Sequence, residues 1–297
     1  MTDRLAFLTD ELENFAEIMK FLKPSAGERP SVDGIDIDAV SIPYNGTIGG
    51  DHLIYLNFNT RYDLDALIAR ARADGREDIA AHLEQNKRRA GILLADVAGH
   101  RITDALVAAM LHQAFLLGSY YELEMFGQIT TVLFEHLKTR FYESTNIKKL
   151  VALIYGEITD RGRFRYLSAG HPLPMVFSRE FRRLMPLGAE RTVSETLLGL
   201  FPAANVPRDA NSLGPVRQST NGVINEIELL GAGDILLLAT DGLTEHMGGR
   251  FIAEQLERRL DEVRLQPAAE ICAHLKEAAL DFGPPADDIT FVVVKKS

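Results

Sequence analysis

Short apolar runs that end in an aspartate recur along the chain. Residues 235–239 are all isoleucine, leucine or alanine, and they are followed by Thr-Asp-Gly with Asp241 at its centre. Residues 92–95 form a second such run, and Asp96 follows it directly. Runs of this length bounded by glycine are typical of strands buried on both faces. The pattern therefore predicts buried β-strands that each carry an acidic residue at one end.

Two further aspartates, Asp51 and Asp287, stand just before other apolar runs. Any one of these residues is readily explained as an aspartate that starts a turn, but four such positions favour a common role. Antiparallel pairing places the start of one strand beside the end of its neighbour, so Asp51 can meet Asp96 and Asp241 can meet Asp287. Converging carboxylates repel one another unless a cation lies between them, and oxygen ligands favour Mg or Mn over Zn. The sequence predicts a cation site at one sheet edge.

The first thirty residues contain an apolar seam with alternating spacings of three and four, which predicts an amphipathic helix that Pro24 stops. The seam consists of Leu5, Leu8, Leu12, Phe15, Met19 and Leu22. Such a seam packs either on its own domain or against the same helix of a second copy. We therefore predict an N-terminal helix over residues 1–30 and hold a homodimer through it as one of two alternatives.

Residues 60–89 are predicted to form a helical insertion between two strands. Apolar positions recur at helical spacing, and Asp74-Gly75 divides them into two pieces, as in an αα-hairpin. The hairpin should lie at the strand ends away from Asp51 and Asp96, which favours surface packing or partner docking over catalysis. Farther along, a helix is predicted from Asp104, with Gly118 ending its pattern.

Composition indicates one large domain. The chain has 297 residues, of which 46% are hydrophobic, and no low-complexity linker divides it. We predict a domain over residues 31–297. The single cysteine, Cys272, excludes disulfides within the chain and cysteine-based metal sites.

The formal net charge is −10, which argues against general affinity for nucleic acid or anionic membranes. The N-terminal residues lack a signal-peptide pattern, and no apolar stretch approaches the roughly 20 residues of a membrane span. We therefore expect no nucleic-acid or membrane partner and a cytoplasmic location.

Six motifs occur in the order found in SpoIIE/RsbU-type bacterial phosphatases, which belong to the metal-dependent PPM class of serine/threonine phosphatases. They are Gly-Gly-Asp at 49–51, Asp-Val-Ala-Gly-His at 96–100, Ala-Gly-His-Pro at 169–172, Leu-Gly-Leu at 198–200, the segment 233–245, and Asp-Asp-Ile-Thr at 287–290. The resemblance runs from about residue 32 to residue 296. It implies an α+β fold, an α-β-β-α sandwich of two antiparallel sheets flanked by helices, with a binuclear Mn or Mg site at one edge.

The resemblance also implies a role for each acidic residue. Asp51 and the backbone carbonyl of Val97 would hold one ion, Asp241 and Asp287 would hold the other, and Asp96 would bridge them. Two ions can activate a water molecule and aim it at a phosphate ester, so no nucleophilic side chain is required. Asp288 is expected to support the loop by hydrogen bonding.

The sequence leaves open the roles of His100 and Arg101, which follow Asp96. Family members commonly continue Gly-His-Gly, whereas this chain has Gly99, His100 and Arg101. Arg101 is either a bidentate phosphate ligand or a solvent-facing replacement. His100 is a candidate general acid, although the position at which eukaryotic relatives place such a histidine is Ala98 here.

The resemblance implies a protein serine/threonine phosphatase that acts on a regulatory phosphoprotein, an anti-anti-sigma (STAS-type) factor in bacterial sigma factor regulation. The alternative is a catalytically degenerate PPM-fold module that binds a signalling regulator without turnover. Ile54, where the family has a second acid, and Arg101 support that alternative. The complete set of core acids favours the enzyme.

Overall fold

Ten strands in the described part of the chain form two antiparallel sheets. The computed structural model describes residues 2–24, 28–44, 49–99, 101–144, 149–187, 198, 224–229 and 231–297. The first sheet has the order β1 (Ile35–Ile42), β10 (Ile289–Lys296), β9 (Ile235–Ala239), β6 (Met175–Ser178) and β7 (Arg183–Met185). The second sheet has the order β2 (His52–Asn57), β3 (Arg89–Val97), β4 (Val151–Thr159), β5 (Arg163–Ala169) and β8 (Asn225–Glu228).

Helices cover the outer faces of both sheets. The chain begins with α1 (Thr2–Leu22). The second sheet is covered by α2 (Phe58–Arg61), α3 (Leu64–Ala73), α4 (Glu77–Asn86), α5 (Ile102–Phe126) and α6 (Thr131–Ser144). The first sheet is covered by α7 (Asp241–Thr244), a π-helical turn (Ile252–Leu256), α8 (Glu257–Val263) and α9 (Ala268–Phe282).

Alternating side chains on the strands divide the core into layers. On β3, Ile92 and Leu94 face the layer between the two sheets. Leu93 and Ala95 face the helices instead, because successive side chains of a strand point to opposite faces. A third apolar layer lies between the first sheet and α7–α9. This arrangement confirms the predicted α-β-β-α sandwich.

The pairing of β2 with β3 brings two of the predicted acids together. The strands are antiparallel with His52 opposite Ala95. Asp51, just before β2, therefore lies beside Asp96 near the end of β3. The strand pairing that the sequence predicted for these two residues is confirmed.

The pairing of β9 with β10 does the same for the other two acids. These strands are also antiparallel, and the Thr240 N–H donates to the Thr290 carbonyl beyond the last paired residues of β9. Asp241 directly follows Thr240, and Asp287 precedes β10. Both acids therefore flank the same strand ends.

The predicted helical hairpin is present as α3 and α4. The two helices meet at Asp74 and Gly75, and Gly75 has the left-handed φ of 72°. Leu64, Ile68 and Leu83 are buried in the apolar layer that covers the second sheet. The hairpin lies between the end of β2 and the start of β3, which is the end of these strands away from the acids.

Helix α5 is longer than the sequence predicts. It begins at Ile102, continues through Gly118 and ends at Gly127, which has a left-handed φ of 69°. A Cβ built on Gly118 would lie 2.3 Å from Cδ1 of Leu133 on α6. Gly118 therefore permits the two helices to approach closely and does not end the helix. The prediction at this position was wrong.

Helix α5 is the one described helix that is long and apolar enough, by length and composition alone, to cross a membrane. This is weak support for a span, because buried core helices pass the same test. Leu111 and Phe115 of α5 are fully buried in the layer against the second sheet. The helix therefore contributes to the core, and the absence of a membrane partner stays a prediction.

The predicted seam of α1 is buried only near the end of the helix. Met19 of the seam is buried, as is the neighbouring Ala16. Leu5, Leu8 and Leu12 are 67%, 50% and 44% exposed, so the first half of the seam does not pack on the described part of the domain. Of the two alternatives, internal packing accounts only for the last turns of α1.

Candidate metal centre

Asp51 lies where β2 begins, and its carboxylate accepts a hydrogen bond of 2.8 Å from the Thr240 hydroxyl. Burial, and next the negative charge of Asp96, raise the pKa of Asp51 well above its usual value, against the opposing effect of the Thr240 hydrogen bond. The two acids therefore repel each other across the β2–β3 pair. The hydrogen bond between Asp51 and Thr240 joins the ends of the two sheets, because Asp51 precedes β2 of the second sheet and Thr240 follows β9 of the first.

Asp96 connects the acids of the two sheets. Burial raises its pKa to about 8, and the charge and hydrogen bond of Asp241 and the charge of Asp287 act in the same direction. The pKa of Asp241 is also raised, mainly by burial and further by the charge of Asp287. All four predicted acids therefore interact electrostatically at one edge of the sandwich.

The arrangement of the acids fits divalent cations. Within the residues that the structure describes, no three His, Cys, Asp or Glu side chains already surround one point as a complete ligand set. The hydrogen bond between Asp96 and Asp241 joins two carboxyl groups, so one of them carries a proton that offsets their repulsion. A cation offsets the same repulsion, and the donors are hard oxygens, which suits Mg or Mn.

Asp288 supports the loop that carries Asp51. Its carboxylate accepts hydrogen bonds from the backbone N–H groups of Tyr44 at 2.7 Å and Gly50 at 2.6 Å. Asp288 is buried, which makes these two donors important for its charge. The predicted supporting role of Asp288 is confirmed. Asp287 accepts a bond of 2.9 Å from the Asp288 N–H, so one turn fixes both acids.

The backbone around Val97 approaches Gly50 closely. The Val97 N–H donates to the Gly50 carbonyl at 3.4 Å. A Cβ built on Gly50 would lie 2.5 Å from the carbonyl oxygens of both Val97 and Gly99. Only glycine leaves room for these carbonyls beside Asp51. This placement agrees with a ligand role for the Val97 carbonyl, which stays a prediction.

The sequence profile described as stage II sporulation protein E (SpoIIE) matches residues 86–297, which is more than half of the chain. The chain belongs to the SpoIIE family. Membership in this family supports a protein serine/threonine phosphatase of the PPM class. A search of curated proteins gave no match.

Solved structures share the fold of this SpoIIE-family chain. The SiaA-PP2C domain of Pseudomonas aeruginosa is 13% identical, with a TM-score of 0.66 over 100% of both chains. The RsbU and RsbW domains of a Mycobacterium tuberculosis protein are 20% identical, with a TM-score of 0.61 over 90% of this chain and 61% of that one. The phosphatase domain and a regulatory fragment of Bacillus subtilis SpoIIE are 14% identical, with a TM-score of 0.58 over 89% and 64%. The chain thus spans less than two thirds of the last two, and at these identities the likeness concerns the fold.

The departures from the SpoIIE-family motifs do not distort the site. Arg101 has φ −102° and ψ 167°, an extended conformation that any residue adopts, so its replacement of glycine causes no backbone strain. Its side chain is exposed. Ile54 is 1% exposed and belongs to the helix-facing core. His100 lies outside the described residues, so its role as general acid stays a prediction, as does the choice between the two roles of Arg101.

Sequence reasoning missed Thr240 and Asp104. Thr240 is fully buried, and its hydroxyl links Asp51 to the backbone of Thr290, whose N–H donates to it at 3.1 Å. Asp104 is fully buried in the first turn of α5 and forms an ion pair with Lys149. Spacing does not reveal these contacts, because Asp51 and Lys149, the side-chain partners of Thr240 and Asp104, lie far away in the sequence.

Proposed function

We propose that this SpoIIE-family protein hydrolyses phosphoserine or phosphothreonine esters on a regulatory phosphoprotein, with the help of two Mn or Mg ions. The observation that supports the proposal is the convergence of four acids at adjoining strand ends of the two sheets, where the hydroxyl of Thr240 donates to Asp51. The four acids are Asp51, Asp96, Asp241 and Asp287. A structural protein gains nothing from four partly buried acids in one place, because burial without a cation is unfavourable.

Each acid has a proposed role in the site. Asp51 and the Val97 carbonyl would bind one ion, Asp241 and Asp287 the other, and Asp96 both. When bound, the ions would polarise the phosphate ester and lower the pKa of the attacking water. Thr240 and Asp288 orient Asp51 and its loop through the hydrogen bonds described above. Among proteins of the same fold, RsbX was solved with magnesium and the catalytic domain of PstP with two manganese ions.

The proposed substrate is a small phosphorylated regulator of the anti-anti-sigma (STAS) type, whose dephosphorylation would change its binding partner and so control a sigma factor. The support is the fold shared with proteins named RsbU and SpoIIE. The cytoplasmic location belongs to the same proposal and stays a prediction.

A homodimer through α1 is the second part of the proposal. The exposed first half of the seam, from Leu5 to Leu12, leaves apolar side chains at coiled-coil spacing without a partner in the described part of the domain. A second copy of the helix would cover them.

Hydrolysis of p-nitrophenyl phosphate with added Mn tests the enzyme. The wild-type rate should exceed that of Asp241→Asn by roughly 100-fold or more, because the substitution removes a proposed ion ligand. The same comparison with a phosphoserine peptide tests the substrate class. Equal rates for wild type and Asp241→Asn would contradict the proposal.

The hydrolysis assay, combined with calorimetry, also tests the alternative of a module that binds a regulator without turnover. That alternative is supported by Ile54, which fills a position of the family's second acid with a buried core side chain. Calorimetry with Mn distinguishes the two: binding of Mn with no hydrolysis would favour the degenerate module, and turnover would exclude it.

A further inference from the structure

An ion pair outside the aspartate cluster lies beneath the loop that connects β3 to α5. Asp104, in the first turn of α5, has a side chain that is 0% exposed and pairs with the ammonium group of Lys149, just before β4. A buried carboxylate without a partner is strongly unfavourable, so separating Asp104 from Lys149 would leave an uncompensated buried charge. Neither residue belongs to the proposed ligand set.

Both members of the pair hold the backbone of the loop. The Asp104 carboxylate accepts a hydrogen bond of 2.7 Å from the Arg101 N–H. The Lys149 Nζ donates to the Ala98 carbonyl at 3.3 Å, and the Ala98 N–H donates to the Leu150 carbonyl at 3.0 Å. The loop is therefore fixed at its two ends by the same two side chains.

The middle of the loop lies directly on the pair. Gly99 has a left-handed φ of 113°, and a Cβ built on it would lie 2.6 Å from Oδ2 of Asp104 and 3.4 Å from Nζ of Lys149. No side chain at position 99 fits between the backbone and the pair. The path of the backbone is thus shaped by the position of these two charged groups.

The same loop forms one wall of the proposed cation site. The carbonyl oxygens of Val97 and Gly99 both face Gly50, the residue before Asp51. A shift of the loop would therefore move the Val97 carbonyl relative to Asp51 and Asp96.

We propose that Asp104 and Lys149 are positioning residues of the metal centre, which hold the Val97 carbonyl where it can bind an ion together with Asp51 and Asp96. The inference rests on the proposed function, because Asp104 and Lys149 can position a metal ligand only if cations bind beside the loop. Partners of ligand groups commonly change metal affinity by about 10–100-fold when they are removed.

The test compares two ion pairs at opposite ends of β3. Lys149→Met and Asp104→Asn remove the pair below the loop, and Lys149→Arg keeps its charge. Arg89→Met is the matched control, since Arg89 pairs with Glu157 at 2.8 Å and their side chains are 13% and 14% exposed. The seven steps along β3 from Arg89 to Asp96 separate the control from the site by roughly 23 Å.

Mn affinity, measured by calorimetry at a temperature where circular dichroism shows each variant folded, is the first readout. Lys149→Met and Asp104→Asn should each raise the Kd for Mn by about 10–100-fold. The Kd of the double variant should be no higher than that of the single variant with the weaker Mn binding, because both residues act in one network. Lys149→Arg should recover most of the affinity, and Arg89→Met should stay within about twofold of wild type. A Kd unchanged in Lys149→Met would overturn the inference.

Amide hydrogen exchange of Ala98, Gly99 and Arg101 in metal-free protein is the second readout. Exchange should be faster in Lys149→Met and Asp104→Asn and unchanged in Arg89→Met. Unchanged exchange in all variants, or faster exchange with wild-type Mn affinity, would overturn the inference. If the wild type binds Mn but hydrolyses no ester, the proposed function fails while the positioning role stands. If it binds no Mn, the proposed function and the assignment of this pair both fail, whatever the exchange rates.

Discussion

Asp96 is the residue that the other acids of the cluster share, because it interacts with Asp51, Asp241 and Asp287. Its pKa is raised to about 8, first by burial and then by Asp241. In the unfolded chain an aspartate has a pKa of about 3.9. The folded metal-free protein therefore holds the proton more tightly than the unfolded chain does. That contribution to stability is complete below about pH 4 and is lost as the pH rises through about 8.

The metal-free protein should accordingly become less stable between pH 7 and pH 9. Urea unfolding in EDTA should show the free energy of unfolding falling by on the order of 1 kcal/mol over this range, since one pKa unit corresponds to about 1.4 kcal/mol. Asp96→Asn should reduce the fall, and so should saturating Mn. The part that remains in both includes the buried Cys272 thiol, whose pKa burial raises, so that its contribution to stability also falls as the unfolded thiol ionises. The range lies above the ordinary pKa of histidine, so the buried His52 and His171, whose pKa values are lowered mainly by burial, do not contribute. The same pH dependence in wild type and Asp96→Asn would contradict the account.

The acids of the site could be predicted residue by residue, whereas their supporting residues could not. An aspartate at the end of an apolar run is a local signal, and antiparallel pairing extends it to the neighbouring strand. Thr240 and Asp104 act through Asp51 and Lys149. Those partners are separated by long stretches of sequence, so no spacing rule connects them before the fold is known.

Among the elements, periodicity predicted the existence of helices better than their ends. The α3–α4 hairpin follows the predicted break at Asp74-Gly75, where the chain needs a left-handed residue. Gly118 carries the same signal in the sequence, yet α5 continues through it because Leu133 of α6 packs against the glycine. A glycine that ends a helix and a glycine that admits a neighbouring helix differ only in what lies opposite.

The α3–α4 hairpin should matter for stability and not for catalysis. Leu83 is 1% exposed in the layer against the second sheet, so Leu83→Ala should lower the free energy of unfolding by about 2–5 kcal/mol through the cavity it leaves. Leu67→Ala, at a partly buried position of α3, should lower it less. Unfolding in urea measures both. The Mn affinity and the rate on p-nitrophenyl phosphate should match the wild type wherever the variants are folded. A lower rate in folded Leu83→Ala would instead connect the hairpin to the active site.

At the scale of the whole molecule, α1 differs from the strands, because the first half of its apolar seam lies outside the described core layers. In the described part of the chain, three apolar layers lie between the two sheets and beneath the helices that cover them. The first half of α1, in contrast, presents Leu5, Leu8 and Leu12 to solvent. A helix with exposed seam positions gains stability from packing against a partner, since most helical stability in proteins comes from packing of the apolar face. The same helix of a second copy presents a matching seam and satisfies two copies at once.

Sedimentation equilibrium should therefore show dimers at high micromolar concentration, and Leu8→Asp should give monomers because it places a charge in the apolar seam. Phe7→Asp is the matched control: Phe7 is 62% exposed on the same helix and lies off the seam, so the same change of an apolar side chain to a carboxylate should leave the dimer intact. The rate per subunit on p-nitrophenyl phosphate should report whether pairing of α1 affects the metal centre. A wild-type monomer at these concentrations would show that the seam is not a dimer contact, and equal dissociation by both variants would place the contact elsewhere on α1.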